Sequence, residues 1–200
     1  MNNLLGRFGK YKILVIAMMT LTTVFSCTTN LVAQQVNQPD LDLFSDLIPK
    51  VEETSVIPVL APDVVVPRTE NQLYPEIFDV RQQAYELAYG NVPNCSNAGF
   101  CREGWIQGYQ VGIDGYKTET IAALIEEREN HLETATRKSD DSIEALTLID
   151  GTEAVVLPWI GYTHPGPTEV IFEKDGYRYV FAVVMADNDY VIALTNSALD

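Results

Sequence analysis

The sequence predicts an α+β domain: an antiparallel sheet of four or five strands with two or three helices, preceded by a proline-rich tether. Three observations carry that expectation. Two Gly-containing turns, Asp150-Gly151 and Lys174-Asp175-Gly176, separate runs of β-forming residues. Ile121, Leu124, Ile125 and Leu132 recur at helical spacing. Six of the ten prolines fall between positions 34 and 75, where they remove backbone donors and favour extended chain.

The N-terminal region has the layout of an export signal. The basic residues of the first 33 positions are Arg7, Lys10 and Lys12, and no Asp or Glu precedes Asp40. Ile13 to Phe25 form a 13-residue run whose polar members are three threonines. A basic start followed by about 7–15 apolar residues is the pattern of a secretory signal. The run is shorter than the roughly 20 residues a helical membrane span needs. Two cleavage readings stand open. Val24-Phe25-Ser26-Cys27 resembles the lipobox of bacterial lipoproteins, with Phe25 larger than the usual residue there. That resemblance implies acylation of Cys27, which becomes the new N-terminus. In the other reading an ordinary signal peptidase cuts after Ala33, in Leu31-Val32-Ala33. An uncut N-terminal anchor is the remaining alternative. The chain then divides into a signal over 1–33, an acidic proline-rich linker over 34–75 and a compact domain over 76–200. The expected location is the periplasm, the outer membrane or the cell surface.

Charge narrows the partners. The chain carries 13 Lys+Arg and 28 Asp+Glu, a net charge of −15. Residues 34–200 retain 10 basic and all 28 acidic residues, a net of −18. Such a surface repels nucleic-acid phosphates and anionic headgroups alike. Membrane attachment is therefore expected only through a signal anchor or a lipid on Cys27, and stable anchoring takes more than one acyl chain. The expected partner is another envelope protein. The linker reads as a solvated spacer. Leu41, Leu43, Phe44, Leu47 and Ile48 offer a short docking helix within it, or a segment that packs on its own domain.

Pro75 ahead of Glu76, and Gly90 after a run holding Ile77, Phe78, Ala84, Tyr85 and Ala88, predict a first helix. A strand is expected from Trp105 to Ile113. One of its faces carries Trp105, Gln107, Tyr109, Val111 and Ile113; the more polar face carries Ile106, Gly108, Gln110, Gly112 and Asp114. Asp114-Gly115 signals a turn. A helix follows over 118–137, capped by Thr118 or Thr120, with Glu126, Glu127, Arg128, Glu129 and Glu133 on a solvated face. Hairpins join 143–149 to 153–157 and 169–173 to 177–185. Asp187-Asn188-Asp189 offers an N-cap for a final helix over 190–199.

The stretch from Thr168 to Leu199 runs strand, Gly turn, Tyr177-Arg178-Tyr179-Val180-Phe181, then a helix with Leu194-Thr195-Asn196-Ser197-Ala198. It resembles the C-terminal unit of uncharacterised domains of bacterial extracytoplasmic proteins, with Thr195 where that pattern has Ala. The resemblance implies an envelope-facing α+β domain and no particular chemistry.

Few reactive groups are available. Cys95 and Cys101 are expected to form a structural disulfide in an oxidising compartment, since removal or acylation of Cys27 leaves an even number. They lack the Cys-x-x-Cys spacing of redox-active pairs. The two histidines, His131 and His164, lie 33 residues apart with no zinc-ligand pattern. Asp187-Asn188-Asp189 lacks the alternating ligands of an EF-hand loop. No nucleophile elbow, phosphate loop or dinucleotide fingerprint occurs. No metal or cofactor is expected. The two surviving readings are a non-catalytic binding or assembly module of the envelope, and an envelope hydrolase. The hydrolase would use Trp159, Tyr162, His164 and Glu169, on or beside a Gly/Pro-rich loop.

Overall fold

The computed structural model describes residues 40–67, 72–95, 101–113 and 115–200. The signal region, Cys27, the first residues of the linker and Asp114 of the expected turn lie outside the described residues. The elements in chain order are β1 (Asp40–Leu41), α1 (Ile48–Glu52), β2 (Val64–Val65), β3 (Tyr74–Arg81), β4 (Ala84–Gly90), β5 (Arg102–Tyr109), α2 (Ile121–Thr134), β6 (Arg137–Lys138), β7 (Glu144–Thr147), β8 (Glu153–Leu157), β9 (Ile160–Gly161), β10 (Pro167–Lys174), β11 (Tyr177–Val184) and α3 (Asn188–Ser197). Seven strands form one sheet in the order β3-β4-β5-β11-β10-β8-β7. All its neighbours pair antiparallel. The fold is α+β, with more strands than the four or five expected.

The extra strands come from residues 74–90, where a helix was expected. They form the β3–β4 hairpin through a tight turn at Gln82-Gln83. All seven residues of β4 are buried, so both faces are covered and the hydrophobic pattern does not alternate. Its period of two is visible only by size: Tyr85, Leu87 and Tyr89 point to one side, Ala84, Glu86 and Ala88 to the other. Pro75 sits in edge strand β3, where a missing donor is tolerated.

Strand β5 inverts the expected polarity. The face holding Gly104, Ile106 and Gly108 is the deeply buried one. Tyr89 lies opposite Gly104 and Tyr85 opposite Gly108. A Cβ at Gly108 would stand 2.4 Å from the Tyr85 ring, and one at Gly104 2.4 Å from the Tyr89 hydroxyl. Each glycine makes room for a cross-strand aromatic ring.

The described part of the expected linker packs on this same face. Leu43, Phe44, Val51, Ile57 and Val65 are buried in one cluster with Tyr85, Tyr89, Phe172, Tyr179 and Phe181, and Leu47 and Ile48 pack against it. The helix there is only α1, five residues long. Burying a large apolar side chain contributes about 1.5–3 kcal/mol, more than the roughly 1–2 kcal/mol needed to fix one residue's backbone. Residues 42–54 make turns and α1, whereas 55–67 hold little regular structure, and tyrosines of the sheet and of α3 supply hydrogen bonds to them. The Tyr85 hydroxyl accepts from Leu60 N at 2.9 Å, Tyr179 donates to Pro58 O at 3.2 Å, and Tyr190 donates to Val66 O at 2.6 Å. Residues 40–67 are a strap rather than a solvated spacer, and the domain begins well before residue 76.

Helix α3 covers the other end of that face, against β10, β11 and β8. Helix α2 covers the opposite face through Leu124, against Val155, Leu157, Ile171 and Val180. Thr120 caps α2, its Oγ1 accepting from Ala123 N at 3.2 Å. The two C-terminal hairpins form as expected. Asp175 and Gly176 both take positive φ, 53° and 84°, as the tightest hairpin turn requires. Helix α3 spans 188–197, close to the expected 190–199.

Candidate functional site

The loop proposed for hydrolysis does not assemble a reactive cluster. His164 is exposed. Tyr162, 49% exposed, packs edge-on to His131 with centroids 6.3 Å apart, and its hydroxyl lies 3.1 Å from Thr134 Oγ1. The backbone of Trp159 is held by Thr168 Oγ1 and Ser139 N. Among the described residues, no hydrogen bond or ion pair joins any two of these four side chains.

Glu169 has a different partner. Its Oε2 accepts from Arg128 Nη2 at 2.5 Å and from Lys117 Nζ at 3.4 Å. Arg128 belongs to α2 and was expected on its solvated face, yet it is 8% exposed. Its Nη1 donates to Pro158 O and, at 3.4 Å, to Pro167 O. Pro158 follows β8 and Pro167 opens β10, so the guanidinium reaches carbonyls at both ends of the connection between these strands. It bridges α2 to the sheet, and the ion pair locks helix to strand.

Cys95 and Cys101 lie with sulfurs 2.05 Å apart, a bonding distance, and Cα atoms 5.7 Å apart. They are 2% and 5% exposed. Gly90 backs the pair: a Cβ there would meet Cys95 Sγ at 2.9 Å and Cys101 O at 2.7 Å. Both cysteines are buried at the rim of the sheet, which suits a structural bond.

Beside it, Arg102 lies between the rings of Phe78 and Trp105, at 4.4 and 5.2 Å from their centroids. Its Nη1 meets Glu86 Oε1 at 2.8 Å, and Gln107 Nε2 donates to Glu86 Oε2 at 2.7 Å. Cation–π contact and one carboxylate hold this charge. Nearby, the Tyr116 hydroxyl donates to Asp79 Oδ2 at 3.0 Å, and burial, then the adjacent Asp79 charge, raise the Tyr116 pKa. Burial also pushes Tyr179 up to about 12 and raises Tyr85 further, so both strap-binding hydroxyls stay protonated.

Cavities lined by described residues include the following three. A small one, about 60 Å³, lies between α2 and β8–β9 and is lined in part by Arg128 and His131. The second, about 250 Å³, lies between β2 and α3, lined by Val64, Val66, Tyr190, Ala193, Leu194 and Ser197. The third, about 350 Å³, is acidic and lies at the start of α3. Sequence reasoning missed the second because Val64-Val65-Val66 was assigned to a spacer. Its signal was a valine cluster in a chain whose last helix has exposed Ala193 beside buried Leu194.

No group of three His, Cys, Asp or Glu side chains that could hold a metal ion occurs among the described residues. No helix among them is long and apolar enough to cross a membrane. No family model, curated protein or solved structure matches the chain.

Proposed function

We propose that the chain is an exported, non-catalytic module of the cell envelope, tethered through the residues ahead of its strap, that acts by binding a protein partner. The observation that carries this reading is the apolar cavity between β2 and α3. It is open, lined almost wholly by apolar atoms, and exposes Val66 at 43%. Open apolar depressions rimmed by polar surface are where protein partners dock. Support for export comes from the Arg7–Phe25 layout and from the bonded cysteine pair, which persists in oxidising compartments. The hydrolase reading needs a carboxylate within reach of His164, and Glu169 is committed to Arg128 and Lys117.

Site-specific photo-crosslinking in native cells tests the proposal. A photoreactive residue at position 193 should give one discrete adduct, and the same residue at Glu129, on the solvated face of α2, should give none. Absence of an adduct at 193, together with turnover of an envelope substrate that His164→Ala abolishes, would move the assignment to the hydrolase.

A further inference from the structure

Resting on the docking role given to the groove between β2 and α3, we infer that its partner is a protein segment carrying a large apolar side chain between basic ones. The groove, about 250 Å³, has two walls. Val64 and Val66 of the strap form one. Tyr190, Ala193, Leu194 and Ser197 form the other, recurring at helical spacing along α3. The Tyr190 hydroxyl donates to Val66 O at 2.6 Å and joins the two walls near the start of the helix. Beyond it Ala193 is short and exposed, so an anchoring side chain of a partner can enter there.

The walls also decide the charge of what docks. Strap residues 51–67 contain Glu52, Glu53 and Asp63 and no Lys or Arg. Residues 185–200 contain Asp187, Asp189 and Asp200 and no Lys or Arg. Two of these carboxylates adjoin the lining of the groove, one on each wall. Asp63 precedes Val64, and Asp189 stands one turn ahead of Ala193 on α3. Both are exposed, and neither forms an ion pair among the described residues. The dipole of α3 favours Asp189 where it stands, but it gives no reason for Asp63. An apolar opening with an unpaired carboxylate on each wall is complementary to an apolar side chain that has Lys or Arg on either side.

The same chemistry disfavours two other occupants. A second copy would bring the same acidic walls face to face, and like charges across an interface repel. Residues 26–39, immediately ahead of the strap, contain no charged residue, so they would leave both carboxylates unanswered.

Photo-crosslinking from position 193 in native cells, followed by mapping of the joined peptide, tests the partner's chemistry. The mapped peptide should hold a large apolar residue with Lys or Arg close on each side. Asp63→Asn with Asp189→Asn should lower the adduct yield about three- to tenfold, and Glu126→Gln with Glu129→Gln, an equal charge loss on α2, should leave it unchanged. In isolated envelopes the yield should fall as salt rises from about 0.05 to about 0.5 M, because exposed charges are screened. Arg68→Gln removes a basic residue next to the strap wall, outside the described residues, and should not weaken the adduct. Thermal unfolding of the purified variants should match the parent chain, so that a lost adduct reports docking and not folding. An adduct to a second copy, to residues 26–39 or to a peptide without basic residues would overturn the inference. Equal yields in the two charge variants, a yield that holds or rises with salt, or weakening by Arg68→Gln would do the same. A discrete adduct of another protein that fails these criteria leaves the docking role standing, whereas no adduct at 193 overturns both.

Discussion

Replacing Arg128 with Met removes the charge that α2 buries against the sheet while keeping most of the stem's volume. What remains behind decides the cost. Glu169, whose side chain is 8% exposed, keeps only Lys117, at 3.4 Å and 42% exposed. Pro158 O and Pro167 O lose their donor. Breaking a buried pair by deleting one partner costs about 3–5 kcal/mol. The surviving Lys117 contact is a solvated one, able to recover no more than about 1 kcal/mol. The expected loss is therefore about 2–4 kcal/mol, a large share of a stability of about 5–15 kcal/mol. For a domain of this size it corresponds to a fall in Tm of about 4–16 °C. Urea unfolding at pH 7 and thermal unfolding both read it. Arg128→Met combined with Glu169→Leu should regain most of the loss, because removing both charges also removes their desolvation cost. A single-variant loss below about 1 kcal/mol, or a double variant equal to the sum of the singles, would refute the role given to this pair.

Gly108→Ala should destabilise by about 1–3 kcal/mol, since its Cβ would stand 2.4 Å from the ring of fully buried Tyr85; Tyr85→Leu in the same chain should relieve part of it, read by urea unfolding. Tyr179→Phe should cost about 1 kcal/mol and speed hydrogen exchange in the strap around Pro58, whose carbonyl loses its donor. Asp150 is held at a pKa of about 2 by the Lys174 ammonium, then by Thr152 N, so its folded value lies below its unfolded one. Its contribution is present above about pH 4 and fades as pH falls through about 2. With Asp150 and Lys174 paired in an exposed turn, Asp150→Asn should cost less than about 1 kcal/mol at pH 7 and nothing well below pH 2, as urea midpoints across pH would show.

The C-terminal half of the fold was legible because its signals are local. Asp175-Gly176 needs positive φ at both positions and its flanks are rich in β-branched and aromatic residues, so the hairpin reads directly. Thr120 as cap and the Leu124 stripe place α2 within a few residues. The β3–β4 hairpin was illegible because a strand buried on both faces loses alternation, and because Pro75 and Gly90 punctuate a strand pair as they would a helix. The strap was illegible for a tertiary reason. Prolines predict extended chain, but 42–54 folds into turns and α1, and the segment's place is set by apolar packing on the sheet and by tyrosine hydroxyls contributed from positions 85, 179 and 190. Arg128 reads as one charge among many on a polar helix face until the carbonyls it serves are brought beneath it. Of the candidate site, the cysteine pair was legible from parity and spacing. The grouping of His164 with Glu169 rested on nearness in sequence alone, and alternation sends Glu169 to the face where Arg128 waits.

The export assignment underlies both the tethered role and the bonded cysteines, and intact mass of the protein from its native envelope tests it most directly. Extraction under non-reducing conditions with thiol alkylation reads both ends of the claim in one spectrum. The expected mass corresponds to a chain starting at acylated Cys27 or at Gln34, with Cys95 and Cys101 unalkylated and two hydrogens lighter than the dithiol. A full-length chain from Met1 carrying alkyl groups on all three cysteines would contradict it.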